Sequence, residues 1–137
     1  MSFLVIRGKT KEVQLPVTPS TAITAGTLVT FSSGKLIAAT SSTAAVDIAG
    51  ILKATIASTD SDYATDRLVA VLVPIEKHVV YEADVTSGLV ATDVGTEVDL
   101  TDGATVNRAA SSIKAVKVLR IISTTKGHFL VKVNGSY

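Results

Sequence analysis

The stretch Gly26-Thr27-Leu28-Val29-Thr30-Phe31-Ser32-Ser33-Gly34 has an echo about seventy residues later, in Gly95-Thr96-Glu97-Val98-Asp99-Leu100-Thr101-Asp102-Gly103. Each copy is a short run of alternating residues that ends in a glycine turn. The first copy leads into the small-residue tract Ala38-Ala39-Thr40, and the second is followed by Ala109-Ala110-Ser111. Glycine opens or reverses a strand where a positive φ or a close chain approach is needed, so the echo reads as one β-unit used twice.

The flanking segments extend the same pattern. Leu28 to Phe31 and Lys35 to Ala39 flank Ser32-Ser33-Gly34 and make a compact hairpin. From Val46 to Ile56 a strand is expected, with Ile48, Gly50, Leu52, Ala54 and Ile56 on one face and Asp47, Lys53 and Thr55 on the other. Ser58 to Arg67 is polar and reads as a surface loop. Leu68 to Val73 is a nearly unbroken apolar run between Arg67 and Pro74, expected to be a core strand covered on both faces. Lys77 to Val85 alternates, with Val79, Tyr81, Ala83 and Val85 opposite His78, Glu82 and Asp84. Leu89 to Val94 has the length of a helical turn. Thr96 to Asn107 is the second hairpin, and Ala115 to Ile122 with His128 to Val133 form the last strand pair. The result is an all-β single domain, a barrel or a sandwich of about eight to ten short strands.

Residues 1–19 read as an N-terminal arm or an edge strand, ahead of a barrel-like domain at 20–137. Pro16 and Pro19 argue against a continuous central strand there. Phe3, Leu4, Val5, Ile6 and Arg7 lie beyond those prolines, so they are the candidate partner-binding residues, placed to add a strand to a neighbouring chain.

Composition narrows the function classes. A chain of 137 residues suits one domain, and with 4% aromatic residues and no Trp its core must be built from aliphatic side chains. Thirteen basic against twelve acidic residues leave a net charge of +1, which supplies no long-range field for nucleic acid or an anionic membrane. Without cysteine there is no disulfide framework and no thiolate metal site. The apolar start, Phe3 to Ile6, is shorter than the hydrophobic region of a signal peptide, so a protein released into the cytoplasm that makes it is expected.

Constellations that could carry chemistry fail on spacing. His78, Glu82 and Asp84 share a strand face but spread over roughly 20 Å at about 3.3 Å per residue, too far for one metal shell. Asp60, Asp62 and Asp66 resemble the start of a calcium loop, yet Thr65 and Val71 stand where that loop needs Gly and a bidentate Glu. Gly34-Lys35 lacks the upstream glycine of a phosphate loop, and no Gly-x-Ser-x-Gly elbow accompanies His78 or His128. No catalytic, cofactor or metal residue is therefore assigned.

Taken together, several motifs resemble tailed-bacteriophage capsid decoration proteins, also called cement or head-stabilisation proteins. They are Thr24-Ala-Gly-Thr-Leu-Val-Thr-Phe31, Gly34-Lys-Leu36, the Ala/Thr tract, Asp47-Ile-Ala-Gly-Ile-Leu52, Val94-Gly-Thr-Glu-Val-Asp-Leu-Thr-Asp-Gly103 and Gly127-His-Phe-Leu-Val-Lys-Val133. The resemblance spans roughly residues 20 to 133 and rests on strand-and-glycine patterns with no invariant chemical group. It implies a β-tulip-like domain on the capsid exterior, made in the host cytoplasm, often trimeric. Its partner would be the major capsid protein, with no enzyme activity, cofactor, nucleic-acid or membrane role. Other expectations are a different virion part, such as a tail-tube or head-fibre base protein, or a small-ligand or glycan-binding barrel.

Overall fold

In the computed structural model, residues 2–44, 47–75, 79–86 and 88–131 are described. They form eleven strands: β1 (Leu4–Arg7), β2 (Thr10–Val17), β3 (Leu28–Ser32), β4 (Lys35–Ala38), β5 (Ile48–Leu52), β6 (Arg67–Pro74), β7 (Val80–Thr86), β8 (Glu97–Asp102), β9 (Thr105–Asn107), β10 (Val116–Ser123) and β11 (Lys126–Val131). A 3-10 turn at Ala91–Asp93 lies within the stretch expected to make one. The fold is all-β.

The strands close into two small barrels rather than one. In the first the order around the wall is β2-β4-β3-β5-β6, and in the second β7-β11-β10-β8-β9, closed by the pairing of β7 with β9. Both use the same connectivity. The first and third strands of each unit are parallel, and every other neighbouring pair is antiparallel.

Registers match as well. Val17 opposes Leu36, which opposes Phe31; in the second unit Val85 opposes Val106, which opposes Leu100. Leu52 opposes Val71, which opposes Val13; in the second unit Val118 opposes Phe129, which opposes Tyr81. A one-residue slip would turn every inward side chain outward, so agreement at both ladders means that the repeated sequence encodes a repeated barrel.

The hairpins do two jobs. Ser33 and Gly34 have φ of 52° and 81°, the doubly positive pair of a two-residue type I′ turn, and Ser32 opposes Lys35 across it. Gly103, at the tip of β8 and β9, lies against the other hairpin: a Cβ there would meet the Leu28 carbonyl oxygen at 2.7 Å and Thr27 Cγ2 at 2.6 Å. The echoed hairpins thus dock on each other.

This docking explains why β5 differs from expectation. All five of its residues are buried, with no wet face. Ala49 and Leu52 point into the first barrel with Val29, Leu36 and Val71, while Ile48 and Ile51 join Leu28 in the core of the second barrel around Tyr81 and Phe129. β3 and β5 form a wall between two cores. The opposite correction applies to Leu68 to Val73. The inner face is the buried one, with Val71 0% exposed, while on the outer face Leu68 is 61% exposed and Ala70 and Leu72 are half-buried, because no β6 side chain joins the core of the second barrel.

Residues 2–19 are part of the body. β1 lies on the edge of β7, and β2 pairs with β6 along its whole length from Thr10 to Val17. Pro16 sits inside β2. It is tolerated because, among the described residues, the other side of β2 pairs with a strand at Val17 alone, so most of that flank is edge-like. The strand from Val79 behaves as expected, with Tyr81, Ala83 and Val85 inward and Glu82 and Asp84 outward. His78 and the end of the last expected strand at Val133 lie outside the described residues.

Candidate functional site

β1 splits the five candidate partner-binding residues into two sets. Phe3 is 2% exposed and meets Tyr81 edge-on with ring centroids 6.3 Å apart, and Val5 packs against the same core. The Phe3 N–H donates to the Gly26 carbonyl at 2.8 Å. These two residues find their partner within their own chain, contrary to the expectation of a detached arm. Burial of an aromatic ring of this size contributes up to about 3 kcal/mol, ample to hold a short strand in place. Leu4, Ile6 and Arg7 remain on the outside, with Leu4 57% and Ile6 41% exposed. Among the described residues β1 is the last strand of its sheet, so these side chains sit on a sheet edge.

Pairing, not convergence on a cation, occupies the acidic residues of the calcium-like stretch. Arg67 Nη2 donates to Asp60 at 3.1 Å, Arg67 Nη1 donates to Asp62, and Lys35 pairs with Asp66 on the neighbouring wall. The Ala57 N–H, then the Arg67 guanidinium, hold the Asp60 carboxyl below the usual carboxylate range. On the outer face of β7 and β11, His128 Nε2 lies 3.6 Å from Glu82, and Lys126 Nζ 3.8 Å from Asp84. Among the described residues no three His, Asp or Glu side chains are grouped so as to hold a metal ion.

Two buried carboxylates are structural anchors that the sequence reading did not single out. Asp99 accepts the N–H groups of Ser112, Ile113 and Lys114 at 3.1, 2.8 and 2.7 Å, so it folds the loop ahead of β10 around itself. Asp93 accepts the Val90 N–H at 2.8 Å and both its oxygens lie 3.0–3.1 Å from Arg108 Nε. Burial pushes the Asp93 carboxyl up, but the Val90 N–H and the Arg108 guanidinium outweigh it, and the net shift is downward.

A further surface feature lies at the open end of the first barrel. Val13, Leu15, Phe31, Ile48, Ala49 and Val73, together with Thr30 and Asp47, bound a mostly apolar cavity of about 440 Å³ there. Phe31 and Leu100 hold the same register position in their barrels, yet Leu100 is 1% exposed and Phe31 is 47% exposed. The hairpin pattern placed Phe31 on a strand but gave no sign that its end of the barrel stays open. Against known proteins, no family model matches the chain and no curated protein matches it.

Proposed function

We propose that the protein is a structural component that decorates the outside of an assembled tailed-phage capsid, contacting the major capsid protein and stabilising the shell. The observation that carries this reading is the outer face of β1. Leu4, Ile6 and Arg7 form an exposed apolar and basic strip on β1, the terminal strand of its sheet among the described residues, anchored from behind by Phe3 and Val5. An edge held in this way is ready for strand addition or side-by-side docking without an ordering cost at the moment of binding.

The rest of the molecule suits the same role. Two interlocked barrels with one shared wall give a rigid body, and weak contacts repeated over a lattice add up through multivalency. Binding to the assembled shell and not to free subunits would stabilise the shell by mass action. Self-association as a trimer belongs to this proposal, with the Leu4 and Ile6 strip at the contacts.

Co-sedimentation with expanded, empty tailed-phage capsids tests it. Saturable binding is expected for the parent chain. A Leu4→Thr/Ile6→Thr variant, which keeps strand-forming side chains and puts no carboxylate opposite Glu82, should lose at least tenfold in affinity at a melting temperature close to the parent's, since both side chains are exposed. Equal binding by this variant would remove β1 as the contact; absence of saturable binding by the parent would remove the capsid reading.

A further inference from the structure

The two barrels match in topology and register but not in how one strand edge is covered. On the second barrel, the flank of β7 away from β11 carries two strands in tandem: β9 beside Asp84 to Thr86, and β1 antiparallel beside Val80 to Glu82. On the first barrel, the corresponding flank of β2 carries β4 at Val17 alone. Among the described residues no strand pairs with positions 10–16 on that side. Since Val13 and Tyr81 hold matching positions, the open place beside Val13 is the one Val5 takes beside Tyr81.

Side chains differ at the same point. β1 brings Phe3 into the second barrel, where it packs on Tyr81 and is buried. In the first barrel the smaller Val13 and Val71 stand where the second has Tyr81 and Phe129. The mostly apolar cavity of about 440 Å³ opens at that end, between Val13, Leu15 and Phe31. An unpaired strand edge beside an apolar hole large enough for an aromatic ring is the combination that β1 fills in the sister barrel.

We propose that the free flank of β2 and the adjoining cavity are an acceptor site for an extended strand of a different protein. That strand runs antiparallel to β2, as β1 runs to β7, and inserts one large apolar side chain between Val13 and Phe31. Backbone pairing supplies affinity, and the cavity selects a segment with apolar residues at alternate positions. The chain's own β1 is not the occupant, because the Val5 and Tyr81 pairing and the Phe3 hydrogen bond to Gly26 hold it on the other barrel. The site stands independently of the capsid reading.

A synthetic peptide with the sequence of residues 2–8, Ser-Phe-Leu-Val-Ile-Arg-Gly, is the probe, since it fills the matching slot. Fluorescence anisotropy with the full chain should show saturable binding. Replacing the peptide's Phe by Ala should weaken it at least tenfold. Of two peptides N-methylated at alternate residues, the one blocked toward β2 should not bind and the other should. Phe31→Asp, at an exposed position, should weaken binding at least tenfold without loss of fold.

Exchange of the probe for β1 is excluded by a Leu4→Cys/Glu82→Cys variant, whose two positions face each other in register in a chain without other cysteines. Binding that persists in the oxidised variant supports the acceptor site; binding lost on locking β1 overturns it. Equal binding of both N-methylated peptides, or no binding, also overturns it. An oligomer that Phe31→Asp converts to a monomer assigns the slot to a second copy and overturns the assignment to a different protein.

Discussion

The Leu28 N–H donates to the Gly103 carbonyl at 2.7 Å, and this bond ties the first strand of one hairpin to the turn of the other. The contact is reinforced by the isolated bridge between Thr40 and Asp102. A side chain at position 103 has no room, since a Cβ would also lie 3.2 Å from the Ala39 carbonyl oxygen. Gly103→Val should therefore wedge the barrels apart and cost about 2–4 kcal/mol. Gly34→Ala meets no neighbour and should lose far less, through its positive φ alone. Denaturant titration of both variants checks the contrast.

The strand β6 allows a paired test of which face is core. Val71 is 0% exposed and Leu68 is 61% exposed. Val71→Asp buries an unpaired charge and should cost several kcal/mol, on the order of 3–5. Leu68→Asp should stay within about 0.5 kcal/mol of the parent. Thermal unfolding of the two proteins under one condition decides it, and similar melting temperatures would contradict the register of β6.

Acid sensitivity should depend on Asp93. Its carboxyl titrates below its ordinary value of 3.8 in the folded chain. A group with a depressed folded-state pKa contributes stability that is fully present above the unfolded value and lost as pH falls through the folded one. Asp93→Asn should be less stable than the parent at neutral pH, by about 1–2 kcal/mol for the weakened bonds to Val90 and Arg108. Its melting temperature should also fall less steeply than the parent's below about pH 4. Parallel acid-side slopes would place the sensitivity on other carboxylates.

Truncation of the N-terminus should act through the fold. Removing residues 2–7 takes away β1 and leaves Tyr81 without the ring that covers it, so a loss of about 2–4 kcal/mol is expected from the emptied core volume. Removing 2–15 also takes most of β2, the strand that completes the first barrel by its ladder to β6, and that barrel should not close. Hydrogen exchange on β3 and β4 in the two truncations separates these outcomes.

Alternation and turn chemistry determined the all-β class, both hairpins, the turn near Ala91 and the inward set of β7, because those signals are local: a strand's period and a glycine's φ are properties of a few neighbouring residues. The echo of Gly26 to Gly34 in Gly95 to Gly103 likewise carried the repeat. Only the tertiary structure decided that each unit closes on itself, that β5 is buried on both faces, and that Leu68 is wet. Those facts depend on what packs against the outside of a wall, and an apolar run reads the same whether its second face meets another barrel or water. The position of Phe3 was hidden for the same reason. Its partner, Tyr81, is distant in sequence, and the prolines between them mark local backbone limits without stating where the chain returns.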